Sequence, residues 1–404
     1  MRILLVNDYG HPAGGAETIV IRLRDELRQR GHDARFLASD AGSTTLSSVA
    51  DFSCRGTVSS FRTMLQCANP WARSAMARVL REFQPDVVHV NLYLTQLSPL
   101  FLPLLKDVPA VYYAMWYRAV CPLGTKLLPD GKGCSEQDGL ACLRNGCVPL
   151  RDWIPLQWQR MADHRWRRTA FKRIVAISHA VADKLAAFGG GDFQKIEVVH
   201  PGTAEFPCRQ VLPPEPLFVF AGRLVPEKGC ETLLRAFALA LQKIPAARLA
   251  IVGDGPAGAR LRELAGELGI RKQVDFKGRL SNDETQSLMR QGWAVCVPSL
   301  WDEPFGMVAA EAQMNGVPVI ASACGGLLEA SPTESGAWLV PPGCVDSLAT
   351  ALVDAGGNPE SVRLRGAAAH AWAKDRFGMA RFADRFEEIY LALADNRPND
   401  TRRD

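Results

Sequence analysis

Two doubly wound α/β domains are what the 404-residue sequence predicts, on three observations. Short apolar runs that suit parallel strands alternate with amphipathic runs of helix length. One proline-rich stretch, "PCRQVLPPEPL" at 207–217, interrupts the alternation. The alternation then restarts and continues nearly to the end of the chain. This is the βαβ rhythm of a parallel sheet with helices on both faces.

Taken in order, Arg2 to Asn7 reads as a strand, Ala16 to Arg30 as a helix and Asp33 to Ala38 as a strand. Asp86 to Asn91, Ala110 to Met115, Arg173 to Ile177 and Ile196 to His200 read as further strands, the last two separated by a helix from Ser178 to Phe188. Prolines 207, 213, 214 and 216 fit neither a regular helix nor a central strand, because each fixes φ and lacks an N–H. The first domain is therefore assigned to residues 1–206, a linker to 207–216 and the second domain to 217–375. Strands resume at Leu217 to Ala221, Arg248 to Val252, Gln273 to Phe276, Ala294 to Val297 and Val317 to Ala321. A last amphipathic helix, about 376–396, is free to pack back on the first domain, and 397–404 is a polar tail. Two such domains facing each other enclose a cleft, and ligands of open α/β sheets bind beyond the C-terminal ends of the strands.

Composition narrows the function classes. A net charge of +4 from 47 basic and 43 acidic residues gives no footprint of a nucleic-acid binder. There is no apolar run of about 20 residues, and "MRILLVNDYG" reads as a buried strand and a turn. Both point to the cytoplasm. Eleven cysteines fit reduced thiols better than a disulfide framework.

The strand ends carry the chemistry. Gly14 and Gly15 open the first helix, where bare backbone can approach a phosphate or sugar. Arg223 and Lys228, in "AGRLVPEKG", flank a Pro-Glu turn and suit the oxygens of a diphosphate, although a solvated basic loop reads equally well. Gly253, Gly255 and Gly258 fit a dinucleotide fingerprint with Asp275 at about the right distance. Asp275, however, falls inside "VDFKG" rather than at its end, so nicotinamide binding is discounted. In "EPFGMVAAEAQMNGVPVIASACGG", 303–326, Glu303 stands where a helix begins and Glu311 rides that helix in apolar surroundings. A helix start offers free N–H groups to an anion.

"GGAE", "GRLVPEKG", "VGDGP", "VDFKGRL" and "EPFGMVAAEAQMNGVPVIAS", in this order, resemble the family 4 retaining glycosyltransferases of the GT-B fold. The resemblance is strongest from 217 to 345 and weakest from 40 to 80. It implies that Glu311 accepts hydrogen bonds from the ribose of a UDP- or GDP-sugar and that Glu303 lies near the donor sugar. The N–H groups of Phe305, Gly306 and Met307 would meet donor oxygens, Arg279 and Leu280 would read the base through their backbone, and Gly14, Gly15 and Gly253 would lie on the donor side. Arg223 and Lys228 would neutralise the departing diphosphate, so that no metal or other cofactor is required for catalysis. The acceptor would be a glycan, a lipid-linked molecule or a small molecule, in polysaccharide, glycolipid or natural-product biosynthesis.

Four features depart from the pattern or stand outside it. Where many relatives have His-Asp before Cys-Pro, this chain has Met115 and Trp116 before Cys121 and Pro122. The site then works through backbone groups, or the acceptor chemistry is altered, or the chain is an inactive sugar-nucleotide binder. His89 ends a neighbouring strand and is a candidate for the acceptor side, with a structural histidine as the alternative. Cys121, Cys134, Cys142 and Cys147 share a long irregular loop and are candidates for a structural zinc or iron–sulfur cluster, against free thiols or a labile disulfide. Trp153, Trp158 and Trp166 stand among basic residues at 151–173, which suits either peripheral contact with a membrane or a helix that simply covers its own domain.

Overall fold

The computed structural model describes residues 1–12, 14–42, 47–59, 62–209 and 211–395. These divide into two compact units, one of 1–129, 134–202 and 379 onward, the other of 130–133 and 203–378. The division falls at Gly202/Thr203, a few residues before the proline-rich stretch. That stretch belongs to the second unit, where Arg209 N–H donates to Asn315 O at 3.2 Å and Trp293 Nε1 donates to Pro213 O at 2.9 Å. The polar tail of the sequence reading lies outside the described residues.

In the first unit the order is β1 (Arg2–Tyr9), α1 (Gly15–Gln29), β2 (Asp33–Ser39), β3 (Phe52–Cys54), α2 (Arg62–Cys67), α3 (Pro70–Glu82), β4 (Val87–Val90) and β5 (Ala110–Ala114). Then follow α4 (Leu140–Arg144), α5 (Leu150–Ala170), β6 (Arg173–Ala176), α6 (His179–Phe188) and β7 (Glu197–Val198). The sheet runs β3-β2-β1-β4-β5-β6-β7, and every pairing is parallel. Ile3 to Val6 and Val87 to Val90 are buried, as a strand covered on both faces requires.

The second unit contains β8 (Leu217–Ala221), α7 (Cys230–Ala240), β9 (Arg248–Val252), α8 (Gly258–Glu267), β10 (Val274–Gly278), α9 (Asn282–Gln291), β11 (Ala294–Val297), α10 (Met307–Met314) and β12 (Val319–Ser322). It continues through α11 (Leu327–Ala330), β13 (Trp338–Val340), α12 (Val345–Gly357) and α13 (Pro359–Phe377). Its parallel sheet is ordered β10-β9-β8-β11-β12-β13. Relabelled from its own first strand this is 3-2-1-4-5-6, so the winding reverses between β8 and β11. Ligands of such sheets bind beyond the strand ends at that reversal.

The last helix, α14 (Met379–Asp395), joins the first unit. Arg30 at the end of α1 reaches Asp384 at 2.6 Å and Glu387 at 2.7 Å. Phe382, Phe386 and Tyr390 pack around Tyr113 and His89. His89 is thereby removed from the acceptor side. Its ring is fully buried under α14 with Nδ1 2.5 Å from the Tyr390 hydroxyl, because the helix that covers it arrives some 300 residues later in the chain.

Burial pushes the His89 pKa down to about 3 from an ordinary 6.5. The unfolded chain therefore binds more protons between those values. The stability is fully present above the unfolded pKa and is lost as the pH falls toward the folded one. A His89→Leu/Tyr390→Phe variant should lose this group's share of the acid limb, at most about 1.4 kcal/mol per pH unit. Urea midpoints at neutral and mildly acid pH check this, and parallel pH profiles for variant and wild type would refute it.

Candidate functional site

The loops leaving β8 and β11 meet where the winding of the second sheet reverses. Leu300 N–H donates to Glu227 O at 2.8 Å. Gly229 has φ +67°, and a Cβ placed on it would lie 1.8 Å from Pro298 O. Only glycine permits this approach. It brings Lys228, at the end of a 3-10 turn from Pro226, against the loop after β11.

Lys228 Nζ lies 2.5 Å from Glu303 Oε1, and Ser299 Oγ donates to the same oxygen at 2.6 Å. Glu303 is only 5% exposed, so its charge is held by a neighbouring cation and a hydroxyl. The Trp301 ring stands 5.7 Å from the ammonium. Arg223, 71% exposed at its side chain, extends from the same loop and comes 3.8 Å from Glu227.

The glycines after β12 explain their own presence. A Cβ on Gly325, at φ +51°, would lie 2.6 Å from the N and O of Glu303, and one on Gly326 would lie 2.5 Å from Phe305 Cα. Gly326 N–H donates to Glu303 O at 2.7 Å. The pair thus clamps the segment carrying Glu303 to the start of α10. The side chain of Phe305 is buried edge-on against Phe377, which leaves its backbone as the part facing the helix start. Gly306, at φ +105°, is the N-cap, and Met307 is the first residue of α10.

Glu311, half-buried on α10, is held from α9. Gln286 Nε2 donates to Glu311 Oε2 at 3.1 Å, and Asn315 Nδ2 donates to Gln286 Oε1 at 2.6 Å and to Glu311 O at 2.8 Å. Ser299, Gln286 and Asn315 escaped the sequence reading. Ser299 had a faint signal as the residue just beyond a strand end, while Gln286 and Asn315 had none. Gln286→Leu should remove the bond that orients Glu311 and, on the ribose-binding role that the resemblance implies for Glu311, weaken nucleotide binding by roughly 2- to 10-fold, the scale of one hydrogen bond. Equilibrium titration with UDP checks this.

Gly253, at φ +132°, packs its Cα against Gly222 O, where a Cβ would come within 1.8 Å. Its glycine is demanded by contact between the β8 and β9 loops. Asp275 is exposed and pairs with Lys277 at 2.5 Å, in keeping with the discounted dinucleotide fingerprint. Arg279 and Leu280 follow the edge strand β10.

In the first unit Gly14 is the N-cap of α1 and Gly15 its first residue. Two buried carboxylates missed in the sequence lie near them. Asp8 accepts from Thr95 N and Oγ1, Gln96 N and Leu97 N at 2.7 to 2.9 Å. It therefore ties β1 to the segment after β4, at this sheet's own reversal of winding. Glu17 is buried in the first turn of α1, and burial raises both pKa values. Met115 follows β5, is buried and offers no proton acceptor.

The four loop cysteines were candidates for a metal site, with free thiols or a labile disulfide as the alternative. All are free thiols, and among the described residues no three of them bring their sulfurs within 4.8 Å of one another. The loop has a scaffold of its own instead. Lys126 Nζ bonds Glu136 O at 2.5 Å and lies 3.5 Å from the Phe188 ring centre, and Trp153 Nε1 bonds Gly139 O at 2.8 Å. Cys121 Sγ accepts the Lys126 N–H at 3.4 Å.

A family model of Glycosyltransferase Family 4 matches residues 13–204, and one of Glycosyl transferases group 1 matches 208–371. The chain belongs to this family 4, group 1 type of glycosyltransferase. It is 34% identical over 263 residues to D-inositol 3-phosphate glycosyltransferase of Streptomyces griseus, covering 56% of this chain and 55% of that one. It is 33% identical over 280 residues to the protein of the same name from Mycolicibacterium gilvum, covering 65% and 61%. The chain thus spans little more than half the length of these curated relatives. Sucrose-phosphate synthase of Thermosynechococcus elongatus superposes with a TM-score of 0.73 at 22% identity, over 97% of this chain and 98% of that one. HepE of Anabaena, solved with UDP, gives 0.67 at 20% over 97% and 100%. These likenesses show the fold, GT-B with two Rossmann-like units.

Proposed function

We propose that this chain is a retaining glycosyltransferase that moves a sugar from a nucleoside-diphosphate sugar to an acceptor hydroxyl. The observation that carries the reading is the Lys228–Glu303–Ser299 cluster beyond the ends of β8 and β11, with the start of α10 clamped beside it. Glycosyl transfer passes through an oxocarbenium-like state while negative charge builds on the leaving diphosphate. Lys228 and Arg223 supply cations for that charge, and the N–H groups at Phe305 to Met307 supply donors. The diphosphate competes with Glu303 for the Lys228 ammonium, which frees the carboxylate to face the donor sugar. Glu311 takes the ribose hydroxyls. A uridine donor is favoured over guanosine, since HepE has been solved with UDP and with UDP-glucose. The acceptor class stays broad: a glycan, a lipid-linked molecule or a small molecule.

Met115 supports a second reading, an inactive sugar-nucleotide binder, because the position has no proton acceptor. The retaining reading accommodates it. The acceptor hydroxyl approaches the face that the diphosphate is leaving, and a departing phosphate oxygen takes the proton. NMR of the product decides. Retention of the donor's anomeric configuration is expected, an inverted anomer would mean that a protein base acts instead, and absence of transfer from every UDP- and GDP-sugar would leave the binder.

A further inference from the structure

Helix α5 of the first unit shows an apolar face to solvent. Leu150, Ile154, Trp158 and Met161 are 41 to 65% exposed. At about 100° per residue they fall within an arc of about 80°, extending roughly 16 Å along the helix. Two elements packed on α5 also expose apolar side chains, Leu140 of α4 at 74% and Met64 of α2 at 68%. A contiguous apolar surface of this kind on a folded chain marks a contact site.

The exposed charges of α5 are all basic, while the less exposed Asp138 lies 3.9 Å from Arg160. Arg151 and Arg160 flank the stripe, while Arg165 and Arg168 continue its line in the last two turns, all four exposed. The acidic residues of the helix are less exposed, and each pairs with an arginine of the same helix. Asp163 is buried and pairs with Arg167, and Asp152 is half-buried and lies 3.5 Å from Arg151. Trp158 meets Trp166 edge to face at 6.2 Å, a placement that suits the boundary between apolar and polar phases.

We propose that this face of α5 docks the protein on an anionic lipid surface. Leu150, Ile154, Trp158 and Met161 enter the boundary between headgroups and acyl chains, and the arginines meet lipid phosphates. A second copy of the chain is a poorer occupant, because a two-fold contact through this face would set the arginines of one copy against those of the other. The inference is independent of the donor site, since none of these residues belongs to it. No helix of the described residues is long and apolar enough to cross a membrane, so the contact is peripheral.

The test is flotation of the full chain with phosphatidylcholine vesicles, with and without phosphatidylglycerol. Binding is expected only with phosphatidylglycerol and should weaken in high salt. Arg160→Glu/Arg165→Glu/Arg168→Glu should lower the partition coefficient by about 10²-fold or more. Ile154→Glu/Met161→Glu should lower it at least about tenfold. Unchanged circular dichroism and melting would show that both variants are folded. Binding that survives both variants, or no binding by wild type, would overturn the proposal. So would self-association abolished by Ile154→Glu/Met161→Glu without any vesicle binding, which would assign the face to a second copy.

Discussion

Lys228→Ala is expected to lower turnover by about 10²-fold or more at saturating donor, the scale of losing one preorganised electrostatic group. Lys228 is the cation that the β8 and β11 loops bring beside Glu303, and in the proposed reaction the charge it meets is greatest as the diphosphate departs. The variant also leaves Glu303 buried with Ser299 as its remaining side-chain partner. A cost of about 1 to 3 kcal/mol in stability follows, below the full figure for a broken buried pair because Lys228 is partly exposed. Lys228→Ala/Glu303→Gln should recover most of that stability and none of the turnover. Steady-state kinetics and urea midpoints separate the two effects. A folded Lys228→Ala enzyme within tenfold of wild type would show that the charge is taken elsewhere.

Gly229→Val should destabilise the second unit by about 3 kcal/mol, since a β-branched residue is strained at positive φ and its Cβ also meets backbone. The obstructing atom is the Pro298 carbonyl, which cannot rotate aside as a side chain would. Relief requires the two loops to part, which breaks the Leu300–Glu227 hydrogen bond and draws Lys228 away from Glu303. Stability and nucleotide affinity should therefore fall together. A variant that melts within a degree of wild type would refute this account of the loop contact.

The parts legible in the sequence were those fixed by local pattern. Leu217–Ala221, Arg248–Val252 and Ala294–Val297 were readable to the residue because central parallel strands are apolar on both faces. β3 and β13 were not, since a three-residue strand leaves almost no periodicity. Glu303, Glu311 and Lys228 could be singled out because motifs mark them. Their supports could not, because Gln286 meets Glu311 across 25 residues of chain and no spacing rule encodes that. The choice between the two readings of His89 was open for the same reason: a strand end shows where a residue lies, and the burying helix comes from the far end of the sequence. The scaffold of the cysteine loop was not legible, because its anchors, Lys126 on Phe188 and Trp153 on Gly139, are likewise tertiary.

The central claim is that the cluster beyond β8 and β11, with the start of α10, binds the nucleoside diphosphate of a sugar donor. Calorimetric titration of wild type and Glu311→Ala with UDP tests it most directly. The account predicts saturable one-to-one binding by wild type and a loss of roughly 1 to 3 kcal/mol in the variant, the scale for hydrogen bonds to a charged group. Equal affinity in the two proteins, or tighter binding of a nicotinamide dinucleotide than of UDP by wild type, would contradict it.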